Sequence, residues 1–215
     1  MGSWVLRDCL RAGVPYRRRV SVSLTFSAVL LAGGRSSRMG TDKALLPCGE
    51  EALWRRQWRV LEEAAAEEIF LSVRPEQTWV PDALMGCVVR DAKADAGPLA
   101  GIASALARCR ASHLLVLAVD LPRMEPAWFA ELARHCASGV GAVGRQAGFF
   151  EPLAAIYPSE LRTAAQGALE RGENSLQRLL AKAGGAMRVR AITGKEAPWF
   201  VNWNQPGAGG SQAQA

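Results

Sequence analysis

The chain has 215 residues, of which 49% are hydrophobic and 21% are charged, and these values are typical of one globular domain with its own core. Its apolar runs fall well short of the roughly 18 residues that cross a bilayer, so the sequence predicts a soluble protein with no membrane partner. The net charge is +6, but residues 1–25 carry most of it. The remainder is nearly neutral, which argues against a nucleic-acid partner.

The ends of the chain and its cysteines carry no predicted function. Residues 1–25 are expected to be a disordered extension, because their arginines interrupt the apolar residues that a signal peptide would need. A transit peptide remains an alternative for this acid-poor segment. Residues 26–207 are predicted to form a single domain, and residues 208–215 a flexible tail. The five cysteines lack metal-ligand spacing, as expected for free thiols in a reducing cytoplasm.

The first half of the domain alternates short apolar runs with helical periodicity, which predicts βαβ units and a mostly parallel sheet. The first strand, FSAVLLA, ends at Ala32, and a glycine-rich loop continues to about Lys43. A helix is predicted around 51–66, with a core-facing stripe. The members of that stripe are Trp54, Trp58, Leu61 and Ala65.

Further strands and helices follow in the same pattern. Strands IFLSV and GCVVR end at Val73 and Arg90, and the segment GPLAGIASALARC predicts a helix with Pro98 in its first turn. The apolar run HLLVLAV predicts a central strand that ends just before Asp120. A helix is expected over 126–136.

The last third of the domain is predicted to hold two strands, two helices and two more strands. GVGAVG and FFEPLAAIY flank a turn at 145–148. Helices are expected over 159–171 and 175–183, the second capped by Asn174 or Ser175. The segments MRVRAIT and WFVN are predicted to be the late strands. The fold class is therefore α/β, with three α/β/α layers around a mostly parallel Rossmann-like sheet.

Three features follow strands of this predicted sheet, where open parallel sheets bind their ligands: the loop of residues 31–43, Asp91 and Asp120. Glycines let backbone amides approach a nucleotide closely, and Arg38 and Lys43 supply positive charge for a polyphosphate. Asp120 offers the hard oxygen ligands that Mg²⁺ prefers. Against this, loop cations are often merely solvated, and an aspartate after a strand often caps a turn.

The loop contains neither GxxxxGK[ST] nor GxGxxG, which excludes a Walker P-loop and disfavours a dinucleotide-dependent redox enzyme. Residues 31–46, LAGGRSSRMGTDKALL, instead resemble the signature LAGGxSxRMGxxKxLL of Rossmann-like nucleotidylyltransferases. The similarity is greatest to the molybdenum cofactor guanylyltransferases. Three further segments match that family in order: RDAKADAGPLAGI at 90–102, LLVLAVDLP at 114–122 and FVNWNQP at 200–206.

The resemblance implies roles for individual residues. Arg38, Lys43 and Asp120 would be catalytic, with Asp120 also the Mg²⁺ ligand. Asn202 and Asn204 would bind the acceptor, although asparagines in such a segment can simply bond local backbone. The implied nucleotide-binding residues are Leu31, Ala32, Gly33, Gly34, Lys43, Asp91, Gly97, Pro98, Leu99 and Asp120.

The resemblance also implies a reaction: GMP passes from GTP to the terminal phosphate of molybdopterin or Mo-molybdopterin, with Mg²⁺ as cofactor. Molybdoenzymes or their chaperones are the implied protein partners. The sequence departs from the family at Ser72 and Arg74, where relatives often carry Asn, at 150–152, where some carry a His-Pro pair, and at Gln205, where NTP is commoner than NQP. These departures leave the ribose or base contact and the acceptor side open.

Three alternatives compete with this reading. A molybdopterin cytidylyltransferase would look similar but tends to carry LAAG where this chain has LAGG. Other small-molecule nucleotidylyltransferases share the loop and fit the later motifs less well. A non-catalytic nucleotide-binding protein of the same fold would be expected to lack Lys43 or Asp120.

Trp199 and Trp203 are predicted to pack in the core rather than to stack on a pterin.

Overall fold

The computed structural model describes residues 23–34, 42–64, 66–90 and 96–203. Seven strands form one sheet in the order β5-β4-β1-β6-β8-β7-β9, and β2 and β3 form a small antiparallel hairpin. The strands are β1 Phe26–Leu31, β2 Pro47–Cys48, β3 Glu51–Ala52, β4 Glu68–Val73, β5 Val88–Arg90, β6 His113–Ala118, β7 Gly141–Gln146, β8 Phe149–Pro158 and β9 Met187–Ala191. The α-helices are α1 Leu53–Glu63, α2 Pro98–Arg108, α3 Pro126–Ala133, α4 Arg162–Glu170 and α5 Leu176–Ala183.

The sheet is mostly parallel. β1 pairs in parallel with β4 and β6, β4 with β5, and β7 with β9, whereas β8 is antiparallel to both β6 and β7. Within the described sheet, β8 alone therefore runs opposite to the other six strands. β6 occupies the middle position and is buried along its whole length, as its unbroken apolar sequence predicts.

Helices cover both faces of the sheet and produce two apolar cores. One core packs α2, α4 and α5 against one face, and it includes Leu99, Ala165 and Leu179. The other packs α1 and α3 against the opposite face, and it includes Leu61 and Trp128. The three-layer α/β/α prediction is confirmed. No helix in the described part of the chain combines the length and apolarity needed to cross a bilayer.

Several predicted boundaries need correction. The helix predicted from 51 begins at Leu53, because residues 51–52 pair with 47–48 in the small hairpin. The helix predicted from 159 opens with a 3₁₀ turn, Ser159–Leu161, and the helix predicted to reach 136 ends at Ala133. The Gly-Cys of GCVVR belongs to another 3₁₀ segment, Asp82–Cys87.

The predicted strand WFVN is wrong. Residues Ala197–Phe200 form a 3₁₀ helix with Pro198 in its first turn, and 201–203 have no regular structure. Pro198 has no N–H to give to a sheet ladder, and Phe200 is buried against Trp128 instead of a neighbouring strand. Apolar content alone could not separate these two outcomes.

Candidate active site

The carboxyl ends of three adjacent strands lie in a row at one edge of the sheet. Leu31 of β1 is in register with Ser72 of β4 and with Ala118 of β6. Two backbone bonds extend this row: Ala32 N donates to Ser72 O at 2.8 Å, and Val119 N donates to Leu31 O at 3.0 Å. The residues that follow these strands are therefore held side by side. Strand order reverses around β1, a position where such sheets open a ligand crevice.

Asp120 lies at this edge, and Lys43 is near enough for its charge to act on the Asp120 carboxyl. Asp120 is half-buried just beyond β6, and burial raises the pKa of its carboxyl because the charged form loses hydration. The Lys43 ammonium opposes this increase by attracting the carboxylate, as does a backbone hydrogen bond. Lys43 opens the short 3₁₀ helix Lys43–Leu45. The structure thus brings together a cation and a carboxylate from segments 77 positions apart.

Asp42, next to Lys43, has a structural role that the sequence did not indicate. Its Oδ1 accepts a hydrogen bond from Ala44 N at 3.0 Å and caps the 3₁₀ helix. Its Oδ2 accepts from Trp79 Nε1 at 2.8 Å and from Gln77 Nε2. Because both carboxylate oxygens accept hydrogen bonds, Asp42 anchors the backbone that carries Lys43.

Helix α2 begins at the same edge. Gly97, just before the helix, has φ +67°, which favours glycine, and Pro98 occupies the first turn. A Cβ added at Gly101 would lie 2.4 Å from Ser72 Oγ and 2.9 Å from Leu31 Cδ2. The first turns of α2 therefore contact the ends of β1 and β4 directly. Leu99 is fully buried, so only its backbone can face a nucleotide.

Helix α1 supports the turn that follows Asp120. The fully buried Gln57 donates from Nε2 to Leu121 O, and Arg56 donates from Nη1 to Met124 O at 3.2 Å. The predicted stripe on this helix is buried at Trp58 and Leu61, but the buried face also contains Gln57. A glutamine within an apolar stripe was the available signal for this contact, although it does not identify the partner.

The segment of residues 192–203, called the C-terminal strap below, returns from β9 to the end of β6. Trp203 N donates to the backbone carbonyl oxygen of Asp120 at 2.9 Å, which fixes the strap beside the Asp120 backbone. Phe200 packs edge-on against Trp128, with ring centroids 5.0 Å apart. Trp199 and Trp203 both pack against the core, in agreement with the predicted packing role. Asn202 is exposed and immediately precedes the bond to Asp120.

The remaining predicted site residues divide into two groups. The side chains of Leu31 and Ala32 are buried, whereas Gly33 is half-buried and Gly34 is exposed, so this turn presents backbone at the edge of the sheet. The second group lies outside the described residues, and its roles remain predictions. It consists of Arg38, Asp91 and Asn204.

A metal would depend on Asp120. Among residues 23–34, 42–64, 66–90 and 96–203, no three His, Cys, Asp or Glu side chains cluster as a metal site. Mg²⁺ in nucleotide enzymes commonly takes only one or two protein carboxylates and completes its shell with phosphate oxygens and water. Asp120 is half-buried just beyond β6, and a single carboxylate of this kind is compatible with that pattern.

Three of the positions where this chain departs from the signature make contacts within the described residues, and Gln205 lies outside them. Ser72 is buried, and its Oγ fills the space beside Gly101. Arg74 donates its backbone N–H to Gln77 Oε1 at 2.7 Å. Glu151, in the segment where relatives carry His-Pro, accepts a hydrogen bond from Gln146 Nε2 at 2.9 Å. It is therefore engaged within its own hairpin.

The family model of the MobA-like NTP transferase domain matches residues 28–187, which include the glycine-rich loop of residues 31–43 and Asp120. The chain belongs to this family. It is therefore a nucleotidyltransferase by family, as the sequence motifs predicted.

Named relatives agree with this membership. A probable molybdenum cofactor guanylyltransferase from Opitutus terrae is 45% identical over 185 residues, which cover 84% of this chain and 91% of that protein. A molybdenum cofactor guanylyltransferase from Pseudomonas fluorescens is 33% identical, covering 86% of this chain and 92% of its own length.

A solved structure shares the fold. Molybdopterin-guanine dinucleotide biosynthesis protein A from Archaeoglobus fulgidus superposes with a TM-score of 0.66 at 21% identity, over 84% of this chain and 93% of that one. At this identity the similarity supports the architecture alone.

Proposed function

We propose that this chain transfers GMP from GTP to the terminal phosphate of molybdopterin, with or without bound molybdenum, and releases pyrophosphate. The observation that carries the proposal is the convergence of Lys43 and Asp120 where β1 and β6 end, in a chain of the MobA-like NTP transferase family. The names of its relatives supply the substrates. The reaction takes place in the cytoplasm, and molybdoenzymes or their chaperones receive the product.

The chemistry asks mainly for charge neutralisation. An oxygen of the acceptor phosphate forms a bond to the α-phosphorus of GTP, and the bond between the α-phosphorus and its bridging oxygen breaks. Pyrophosphate leaves with those electrons. Because the acceptor phosphate is anionic near neutral pH, no strong general base is required. The obstacle is the repulsion between two anions, which Lys43 and Arg38 reduce by placing positive charge beside the phosphates.

Asp120 is the residue that would hold Mg²⁺, and the bound ion would stabilise negative charge on the α-phosphate and on the leaving pyrophosphate. The protonation behaviour of Asp120 supports this role. Burial raises the pKa of its carboxyl, so its ionised form lacks hydration and gains from a nearby cation. Lys43 supplies part of that positive charge in the protein alone.

The remaining groups divide between nucleotide and acceptor. The backbone of Leu31–Gly34 and the start of α2 at Gly97–Leu99 would receive the nucleotide, together with Asp91. The exposed Asn202, held beside Asp120 by the adjacent Trp203 backbone bond, and Asn204 would contact the acceptor. This division follows from position: β1, β4 and α2 meet on one side of Asp120, and the C-terminal strap lies against Asp120 itself.

A pyrophosphate-release assay with molybdopterin and Mg²⁺ tests the proposal, with GTP, CTP, ATP and UTP compared side by side. We expect turnover with GTP and a marked loss when EDTA replaces Mg²⁺. A strict preference for CTP would refute the guanylyl assignment. Binding of GTP and Mg²⁺ without any pyrophosphate release in the presence of acceptor would instead indicate a non-catalytic protein.

A further inference from the structure

Gln77 bonds to residues near both ends of the glycine-rich loop of residues 31–43. This side chain is only 8% exposed and lies in the segment after β4. Its Nε2 donates to Ala32 O at 2.9 Å and also to the Asp42 carboxylate. Its Oε1 accepts from Arg74 N at 2.7 Å, and its own backbone N donates to Arg74 O at 3.1 Å. One amide group therefore links the backbone of Ala32, the carboxylate of Asp42 and the backbone of Arg74.

The chemistry of this position requires an amide. Both N–H groups of Nε2 are used by acceptors, and the carbonyl oxygen is used by a donor, so the hydrogen-bonding capacity of the side chain is well matched. A glutamate has no donor for Ala32 or Asp42 and would place a second negative charge beside Asp42. A leucine of similar size would leave the Ala32 carbonyl and the Asp42 carboxylate without this partner, which is costly in a buried setting.

We propose that Gln77 is a positioning residue for nucleotidyl transfer, acting through Asp42 on Lys43; this inference rests on the proposed function. Asp42 immediately precedes Lys43, and its Oδ1 caps the 3₁₀ helix that Lys43 opens. Gln77 holds Asp42 close to Ala32, and this sets where the Lys43 backbone lies relative to the end of β1. The route from Gln77 to Lys43 runs through Asp42, to which Gln77 Nε2 donates a hydrogen bond.

Trp79 provides a second, weaker restraint on the same carboxylate. Its Nε1 donates to Asp42 Oδ2 at 2.8 Å, and its ring lies 5.8 Å from that of Trp54 on α1. Trp79→Phe removes this one donor and preserves an aromatic ring. Its effect should therefore be in the same direction as that of Gln77→Leu and smaller.

The decisive experiment is a double-mutant cycle between Gln77→Leu and Asp42→Ala, measured as kcat/KM for GTP well below the melting temperature. We expect Gln77→Leu to lower kcat/KM about 10- to 100-fold, which corresponds to one or two lost hydrogen bonds to a charged group. If Gln77 acts through Asp42, the double variant should be only slightly worse than Asp42→Ala alone. Fully multiplicative effects would overturn the inference.

The matched control is Gln177→Leu. The side-chain amide of Gln177 also bonds to backbone, accepting from Phe150 N at 3.1 Å and donating to Phe150 O at 2.8 Å. It makes no bond to Asp42 in the described structure, so its effect should multiply with that of Asp42→Ala. A Gln77 with a purely structural role would lower the melting temperature of Gln77→Leu and leave kcat/KM of the folded protein unchanged, which would also overturn the inference.

Calorimetric titration with GTP and Mg²⁺ separates failure of this inference from failure of the proposed function. If the wild type binds GTP but releases no pyrophosphate, the proposed function fails, and weaker GTP binding by Gln77→Leu still supports the positioning role. If the wild type turns over GTP and Gln77→Leu binds and reacts equally well, the positioning role fails and the proposed function stands.

Discussion

A half-buried carboxylate such as Asp120 has less water to stabilise its charge than an exposed one. Burial raises its pKa, and Lys43 compensates only in part. Such an arrangement is unfavourable for folding by itself, and it makes the site receptive to additional positive charge. Perturbed carboxylates of this kind cluster at functional sites. The poor hydration that makes the Asp120 charge unfavourable in the fold would be relieved by a bound cation, as the proposed function requires.

Substitution at Lys43 or Asp120 should separate activity from stability. We expect Lys43→Ala and Asp120→Asn each to lower kcat by about 10²–10³, the usual loss when one preorganised charge contact is removed. Asp120→Asn should also raise the melting temperature of the metal-free protein, because a neutral amide replaces a poorly hydrated carboxylate. Pyrophosphate release and thermal unfolding measure the two effects.

Lys182→Ala is the control for these substitutions. Lys182 is an exposed residue of α5, and its Nζ donates to Glu173 Oε2 at 2.9 Å. Its loss should leave turnover near that of the wild type. Near-normal pyrophosphate release by Lys43→Ala or Asp120→Asn would contradict the proposed roles.

Single residues differ in how far sequence can identify them. The place of Asp120 at the end of β6 could be predicted, because the apolar run of that strand ends just before it, whereas the catalytic roles of Lys43 and Asp120 stay predictions. The contacts of Gln57 and Gln77 could not be predicted, because their partners are backbone carbonyls 64 and 45 positions away. A buried glutamine and an exposed one look the same in a sequence. Only the fold determines which carbonyl is available to it.

At the level of elements, the contact between α2 and the strand ends is the most demanding packing in the site. Gly101→Ala should lower the free energy of unfolding by about 1–3 kcal/mol, the usual cost of overpacking, since the new Cβ meets Ser72 Oγ and Leu31 Cδ2. The displaced helix start should also raise KM for GTP. Urea unfolding and steady-state kinetics measure the two effects.

Gly167→Ala in α4 is the matched control for Gly101→Ala. A Cβ there meets only the mobile end of Arg171, at 3.1 Å. Alanine is a better helix former than glycine, so this variant should be more stable by about 0.5–1 kcal/mol. Destabilisation by both variants would show that the loss at Gly101 does not arise from close packing on the strand ends.

Elements with a complete local signal were predicted well. β6 is an unbroken apolar run, and α5 carries its own cap at Ser175 and its own stop at Gly184, whose φ is +52°. The small hairpin and the 3₁₀ segments were missed because runs of two to six residues are too short to show a periodicity. The predicted strand at 199–202 failed because burial of Phe200 depends on Trp128, an element far away in the sequence.

At the level of the whole molecule, the strand order was the part that local patterns could not supply. The sequence predicted a mostly parallel sheet and a central β6, and both are confirmed. It did not predict that β8 is inserted antiparallel between β6 and β7, because an apolar strand carries no mark of its direction. The C-terminal strap was also unforeseen, because it joins β9 to the end of β6, and these elements are distant in sequence.

The strap also couples global stability to pH. The Arg190 guanidinium donates two bonds of 2.7 Å to Glu196, and together with bonds from Thr193 this lowers the pKa of Glu196 to about 2, against the opposing effect of burial. A carboxyl with a lowered pKa in the folded state contributes stability above its ordinary value of 4.5. That contribution disappears as the pH falls toward 2.

We therefore expect Glu196→Gln to reduce the free energy of unfolding at pH 7 by about 1.5–3 kcal/mol, as for lost hydrogen bonds to a charged group. The difference from the wild type should narrow as the pH falls from 4.5 toward 2. Denaturant unfolding at several pH values measures it. Glu173→Gln is the control: Glu173 also pairs with two cations, but at the surface, and its loss should matter much less. If the difference in free energy of unfolding between the wild type and Glu196→Gln stayed constant with pH, the stabilising role of ionised Glu196 would be contradicted.

The bond from Trp203 to Asp120 has a consequence for how substrates enter. The strap is pinned by Phe200 in the core, by Glu196 on Arg190 and by Trp203 on the end of β6. These three contacts restrain the strap along its length, and moving the whole segment aside would break all of them. The strap beside Asp120 is thus positioned by the fold itself, and an acceptor bound as proposed would meet a surface whose shape is set by folding.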